Sequence, residues 1–174
     1  TEKAGIIKKN TVIISGDENE KVKSIIIKKA AENNSDWVDA TLINVELPSD
    51  LKGNYQQKNI KVVLALIDEL RNLGIEIPQE KIKSGLLNVQ QNTGFIGRWF
   101  EFSRDPLIIC DTGHNQAGLE EVFAQLNSIP KFKHIILGFV KDKKIDEVLK
   151  ILPENSTFYF AKPYLNRGLH PSFY

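Results

Sequence analysis

With 174 residues, 41% of them hydrophobic and 26% charged, the chain can form one large or two small domains and has an ordinary globular composition. A formal net charge of +1 gives no electrostatic reason to expect nucleic acid or an anionic membrane as partner. A single cysteine, Cys110, excludes an internal disulfide and fits a reducing compartment. No apolar stretch approaches bilayer-spanning length and no signal-peptide pattern opens the chain, so a cytoplasmic location is expected.

Taken in order, Thr1 to Lys8 reads as the last turn of a helix with Gly5 as its exit. Thr11 to Ser15 is a β-branched run closed by Gly16, a strand. Val22, Ile25, Ile26 and Ala30 lie at helical spacing and predict a helix over residues 20–33. Residues 37–47 alternate weakly and predict one or two short strands. After a loop from Pro48 to Tyr55, Gln56 opens the clearest helix, with Ile60, Val63, Leu64, Ile67 and Leu70 on one face and Gly74 at its close. Pro78 and Glu80 begin another, ending near Gly85, with Ile82, Leu86 and Leu87 toward a core. An irregular, glycine-containing approach leads to Arg98.

After Asp105 the pattern becomes strand and helix in strict alternation: a strand at 107–110, a helix at 116–126, strands at 134–139 and 157–160, and a helix at 142–152 between them. This βαβαβ order implies a parallel sheet with right-handed crossovers. A domain boundary is placed near residues 102–105, dividing the chain into 1–104 and 105–174. The opening at Thr1 in mid-pattern and the absence of methionine predict an excerpt of a longer protein.

The chemistry is concentrated between Gly94 and Asn115. Leu107-Ile108-Ile109-Cys110, bounded by Pro106 and Asp111, reads as a buried parallel strand, with Cys110 buried and inert inside it. Asp111, His114 and Asn115 follow its carboxyl end, where ligands bind in open α/β sheets. Arg98 supplies a planar cation suited to phosphate. A cation, a carboxylate, an imidazole and an amide so close in sequence suggest a nucleotide site. The plainer alternative leaves Arg98 a surface charge and Asp111 a cap for the helix starting near Asn115.

Gly97-Arg98-Trp99, followed thirteen residues after the arginine by Asp111-Thr112-Gly113-His114-Asn115, resembles the folylpolyglutamate synthase/dihydrofolate synthase branch of the Mur ligase family. Glu2-Lys3-Ala4-Gly5-Ile6, Asp50-Leu51-x-Gly53-x-Tyr55-Gln56-x-x-Asn59, Gly138-x-x-x-Asp142-Lys143 and Arg167 resemble further segments of it, in the same order. The resemblance implies an α/β fold: the end portion of a P-loop-type central ATPase domain, then a Rossmann-like C-terminal domain with a mostly parallel sheet. It implies an ATP- and Mg²⁺-dependent ligase that joins L-glutamate to dihydropteroate or folate through an acyl phosphate, acting as a monomer when complete.

By the same resemblance Lys3 is a carbamylated lysine whose added carboxylate supports magnesium. Unmodified, it would repel the cation, and its alternative role is to complement a helix dipole. Asn59 binds the nucleotide, or else caps the helix that follows it. Arg98 reaches the ATP phosphates from a domain hinge, Asp111 and Asn115 bind nucleotide from the last domain, and His114 lies beside the phosphates as a donor rather than a proton carrier. Domain closure would bring Arg98 and Asp111 together across ATP. Lys144 replaces the final acid of the family's Asp-Lys-Asp turn, so that turn is read as structural.

The main departure from the family is the missing Gly-x-x-x-x-Gly-Lys-Ser/Thr loop; no glycine in this chain is followed by lysine. The family's magnesium-binding histidine and glutamate are missing too. The excerpt alone is therefore expected to lack ligase activity. A peptidoglycan Mur ligase and a non-catalytic nucleotide-binding module remain as alternatives. A dehydrogenase is disfavoured because no Gly-x-Gly-x-x-Gly follows a strand.

Overall fold

The computed structural model describes residues 2–141 and 145–173, with Glu2 and Lys3 described by their backbone alone. The chain divides into two compact units. The first comprises Thr1–Leu51 and Tyr55–Phe95; the second comprises Lys52–Asn54 and Ile96–Tyr174.

In the first unit a 3-10 helix, Glu2–Ile6, runs through Gly5, so this glycine is not the helix exit expected of it. Strand β1 (Ile13–Ser15) pairs in parallel with β2 (Trp37–Asp39), and helix α1 (Glu20–Glu32) forms the crossover between them. Asn19 caps α1 by accepting hydrogen bonds from the Lys21 and Val22 amides, so the polar run before the helix sets its start. Only one strand forms in the weakly alternating stretch, because Asp39 turns the chain into a 3-10 helix at Ala40–Leu42 by accepting from the Thr41 amide.

Helix α2 (Gln56–Asn72) closes at Gly74, whose φ of 84° supplies the left-handed exit that a side chain resists. Ile60 and Ala65 of α2 are buried, whereas Val63 is exposed. Helix α3 (Gln79–Leu87) buries Ile82 but leaves Leu87 exposed. The approach to Arg98, expected to be irregular, contains a short helix, α4 (Val89–Thr93). It is tied down by Asp50, whose carboxylate accepts from the Gln90 amide at 2.8 Å.

In the second unit β3 (Phe100–Arg104) and β4 (Leu107–Cys110) form an antiparallel hairpin with an irregularity between Glu101 and Ser103. This corrects two expectations: β4 is antiparallel rather than parallel, and Leu107, Ile108 and Cys110 are exposed rather than buried. The four-residue apolar run signals a strand but does not identify its neighbour. The second compact unit takes up again at Ile96, and residues 102–105 lie within or just beyond β3 of this hairpin.

Helix α5 (Gln116–Asn127) follows, burying Leu119, Val122 and Phe123. Strand β5 (Lys133–Leu137) then pairs in parallel with β6 (Ser156–Phe160) across helix α6 (Ile145–Leu149). Among the described residues the sheet is thus a parallel pair beside a separate hairpin, not one continuous βαβαβ sheet. Asp142, Lys143 and Lys144, the turn that resembles Asp-Lys-Asp, lie outside the described residues.

Residues 52–54 belong to the second unit through specific bonds. Lys52 pairs with Glu101 at 2.7 Å, and the Gln125 side chain accepts from the Asn54 amide at 2.7 Å while donating to the Lys52 carbonyl at 2.9 Å. The Lys52 ammonium, ahead of Arg104, holds the Glu101 carboxyl below its ordinary pKa against partial desolvation.

The first unit has its own polar anchor. Lys23 of α1 meets Asp39 at 3.0 Å, their side chains only 14% and 9% exposed, while the Thr41 hydroxyl donates to Asp39 at 2.6 Å. The Thr41 bond above all, with Lys23 added, lowers the Asp39 pKa, and Asp39 in turn raises that of Lys23. A carboxyl depressed on folding stabilises above its unfolded pKa and loses that contribution as pH falls toward its folded value. Asp39→Asn should therefore lower the urea midpoint at pH 7, and its deficit against wild type should shrink as pH falls below the ordinary 3.8. Parallel titrations of the two proteins followed by circular dichroism check this.

Candidate functional site

The site is built where β4 ends. Asp111 follows Cys110 directly, and the chain must turn from an extended strand into α5 within a few residues. The Asp111 side chain makes that turn: its Oδ1 accepts from the Gly113 amide at 2.7 Å, an Asx-type bond typical of this residue. Its Oδ2 accepts from the Trp99 amide at 2.8 Å. One half-buried carboxylate thus pins its own turn and the distant loop that carries Arg98.

That loop has an uncommon backbone. Gly97 has φ 93° and Trp99 φ 49°, so Arg98 sits between two left-handed residues. Such a conformation is strained for an aromatic residue and persists only where the surroundings hold it. Burial of Trp99 to 5% exposure and its amide bond to Asp111 provide that hold. At Gly97 the constraint is space as well as φ: an added Cβ would stand 2.7 Å from Thr112 Cγ2.

Thr112 closes the loop from the other side. Its amide and its hydroxyl both donate to the Gly97 carbonyl at 2.9 Å, and its hydroxyl oxygen accepts from Arg98 Nη1. Next in the chain, His114 Nδ1 lies 3.0 Å from the Thr112 carbonyl. A carbonyl can only accept, so Nδ1 carries the hydrogen and Nε2 remains to meet a ligand. Asn115 accepts from the Gly118 amide through Oδ1 at 2.8 Å and is the N-cap of α5. The cap assigned to Asp111 in the plainer alternative is therefore made by Asn115.

Arg98, Asp111, His114 and Asn115 are brought into one cluster within the second unit, with the N-terminus of α5 at its edge, an arrangement that favours anions. Arg98 and Asp111 both belong to the second unit. Thr112 and Trp99 complete the cluster and were assigned no role from sequence. The available signal was a β-branched hydroxyl directly after the Asp at a strand end.

Lys3 and Asn59 belong to the first unit. The backbone of Lys3 lies in the first 3-10 helix, and its side chain is outside the described residues. Asn59 lies inside the first turn of α2 and donates to Gln56 Oε1 at 2.8 Å, so it does not cap that helix. Arg167 contributes its carbonyl to the Lys141 amide at 2.9 Å, joining the loops after β5 and β6. Among the described residues no group of three or more His, Cys, Asp or Glu is arranged to hold a metal ion.

No family model matches the chain. Two curated proteins do. A probable bifunctional folylpolyglutamate synthase/dihydropteroate synthase of Haloferax volcanii is 28% identical over 134 residues, 76% of this chain and 15% of its own length. A dihydrofolate synthase/folylpolyglutamate synthase of Buchnera aphidicola is 26% identical over 171 residues, 87% of this chain and 38% of its own. The chain resembles the folylpolyglutamate synthase/dihydrofolate synthase family. A solved folylpolyglutamate synthase of Mycobacterium tuberculosis, complexed with ADP and AMPPCP, superposes with a TM-score of 0.84 at 20% identity over 99% of this chain and 44% of that one. This establishes that the chain shares the fold of part of such a synthase. It spans less than half the length of each of these relatives.

The double role of Asp111 gives a direct test. In Asp111→Asn one acceptor oxygen becomes an amide NH₂. Whichever way the group turns, that NH₂ faces a backbone N–H, of Trp99 or of Gly113. A loss of about 1–3 kcal/mol is expected, as for a buried donor left unsatisfied. Urea denaturation checks it, and an unchanged midpoint would show that the carboxylate does not hold the loop.

Proposed function

We propose that the chain is part of an ATP-dependent ligase that adds L-glutamate to dihydropteroate or a folate. The observation that carries this reading is the Arg98 loop pinned by Asp111 onto the turn that leads into α5. A half-buried guanidinium near an exposed imidazole and a helix N-terminus supports a polyanionic nucleotide as ligand. The names of the similar proteins then suggest the reaction class, and the ADP and AMPPCP bound to the Mycobacterium tuberculosis synthase support ATP as the nucleotide.

In this reading ATP transfers its γ-phosphoryl group to the substrate carboxylate, giving an acyl phosphate and ADP. The glutamate amine attacks the acyl carbon, a C–N bond forms, and phosphate leaves as the amine gives up a proton. The chain's own residues act on charge and position. Arg98 offsets the phosphate oxygens through paired N–H bonds, most effectively where negative charge builds up in transfer. His114 offers Nε2, donating when the ring is protonated. Asn115 keeps an amide NH₂ after using its oxygen as a cap, and Asn59 offers an amide to the base edge.

Magnesium belongs to the proposal for the whole protein, with a carbamylated Lys3 as its indirect support. The described residues provide no donor set for it, and no step is routed through it here. Residues 1–104 are read as part of the ATP-binding central domain and residues 105–174 as the Rossmann-like C-terminal domain. A cytoplasmic monomer without nucleic-acid or membrane partners completes the reading. No helix among the described residues is long and apolar enough to cross a membrane.

The test is glutamate-dependent ADP release by the protein expressed from the complete gene, with dihydropteroate and dihydrofolate compared. Acceptor-dependent turnover is expected, and Arg98→Ala should lower kcat/KM by about 10²–10³, the usual effect of removing one donor to a developing anion. ATP binding with no acceptor-dependent phosphate release would replace the ligase by a nucleotide-binding module. The 174-residue chain alone, lacking a Gly-Lys-Ser/Thr loop, is expected to give no folate-dependent ADP formation in the same assay.

A further inference from the structure

We propose that Thr112 is a positioning residue for Arg98: it engages the Nη1 side of the guanidinium and thereby holds the Nε–Nη2 edge for a phosphate oxyanion. The identity of that anion rests on the function proposed above; the clamp itself does not.

A threonine hydroxyl has one hydrogen and two lone pairs. Here the hydrogen is committed to the Gly97 carbonyl at 2.9 Å, so the oxygen is turned to accept, and Arg98 Nη1 is its donor. The same Nη1 lies 3.4 Å from the Gly97 carbonyl. Among the described residues Nε and Nη2 of Arg98 have no protein partner. These two N–H groups point the same way along one edge of the planar group, the fork that grips phosphate or carboxylate in parallel. The backbone beneath is equally fixed, by the Thr112 amide bonded to Gly97 before Arg98 and by Asp111 bonded to Trp99 after it. A long side chain that is otherwise free to rotate is thus ordered before any ligand arrives, which reduces the entropy lost on binding.

The methyl and hydroxyl of Thr112 have separable duties. Cγ2 packs against Gly97, where a Cβ would come within 2.7 Å of it, and Oγ1 holds the guanidinium. Thr112→Val keeps the packing and removes the acceptor; Thr112→Ser keeps the acceptor and removes the methyl. A purely structural residue would respond mainly to the loss of packing, and a positioning residue to the loss of the oxygen.

Two measurements test this. The first is ¹⁵Nε relaxation of Arg98 in ligand-free protein, with superimposable amide spectra showing that the variants fold. Wild type and Thr112→Ser should give an ordered Nε–H, and Thr112→Val should fall to the range of a mobile group, below about 0.6 in order parameter. The second is ADP affinity of the protein from the complete gene. Thr112→Val should weaken it about tenfold alone and have no effect in an Arg98→Ala background. The proposal is overturned if Thr112→Val leaves Arg98 ordered, or if its effect on ADP adds fully to that of Arg98→Ala. If Arg98→Ala and wild type bind ADP equally, the nucleotide reading fails instead, and the relaxation measurement still decides whether Thr112 holds Arg98.

Discussion

One carboxylate organises the second unit. Asp111 accepts from two backbone amides, one just ahead of it at Gly113 and one twelve residues behind it at Trp99. The near bond lets the chain leave β4 and enter α5 without an irregular loop. The far bond holds Trp99 in a left-handed conformation that its side chain disfavours. Everything offered to a ligand then follows: Arg98 lies between Gly97 and Trp99, and His114 and Asn115 lie on the turn that the near bond shapes. An amide could make one of these bonds but not both, and a shorter or longer side chain would move the two loops apart.

The rest of the described structure uses the same economy. A single buried-to-exposed polar contact joins segments far apart in sequence where apolar packing alone would leave them loose. In the first unit Asp39, between Lys23 and Thr41, couples the end of β2 to α1. In the second, Gln125 and Glu101 draw residues 52–54 away from their sequence neighbours. Of these, the Lys23–Asp39 pair is short and shielded, the circumstance in which a charged hydrogen bond contributes more than an exposed ion pair does.

The likeness to folate-linked synthases covers between 76% and 99% of the chain but less than half of each relative compared. In the second unit a guanidinium and an imidazole lie near a helix N-terminus, and the first unit holds the segments that resemble the lysine and asparagine positions of the family. The geometry around Arg98 argues for readiness before binding, since its backbone is held on both sides and its side chain on one.

Much was legible in the sequence. Helices α1, α2, α3 and α5 follow from apolar spacing with polar or glycine ends, because periodicity and caps are local signals that neighbours seldom override. Strands β1, β2, β4, β5 and β6 follow from short apolar or alternating runs with breaker ends, whereas β3, with only Phe100 and Phe102 apolar among its five residues, carries no such run and was not legible. The Arg98 and Asp111–Asn115 stretches stand out because their residue types carry their chemistry with them. Strand partners were not legible: the apolar run Leu107–Cys110 describes a strand equally well in a parallel core or in an antiparallel hairpin, and only the three-dimensional pairing chose the hairpin with β3. That choice also exposed Cys110 and put Arg98 and Asp111 in one unit. Sequence alone therefore determined where elements begin and end and which side chains could meet an anion. Tertiary structure decided which of them meet each other, because hydrogen bonds between residues 97–99 and 111–112 depend on a turn in space that no local pattern encodes.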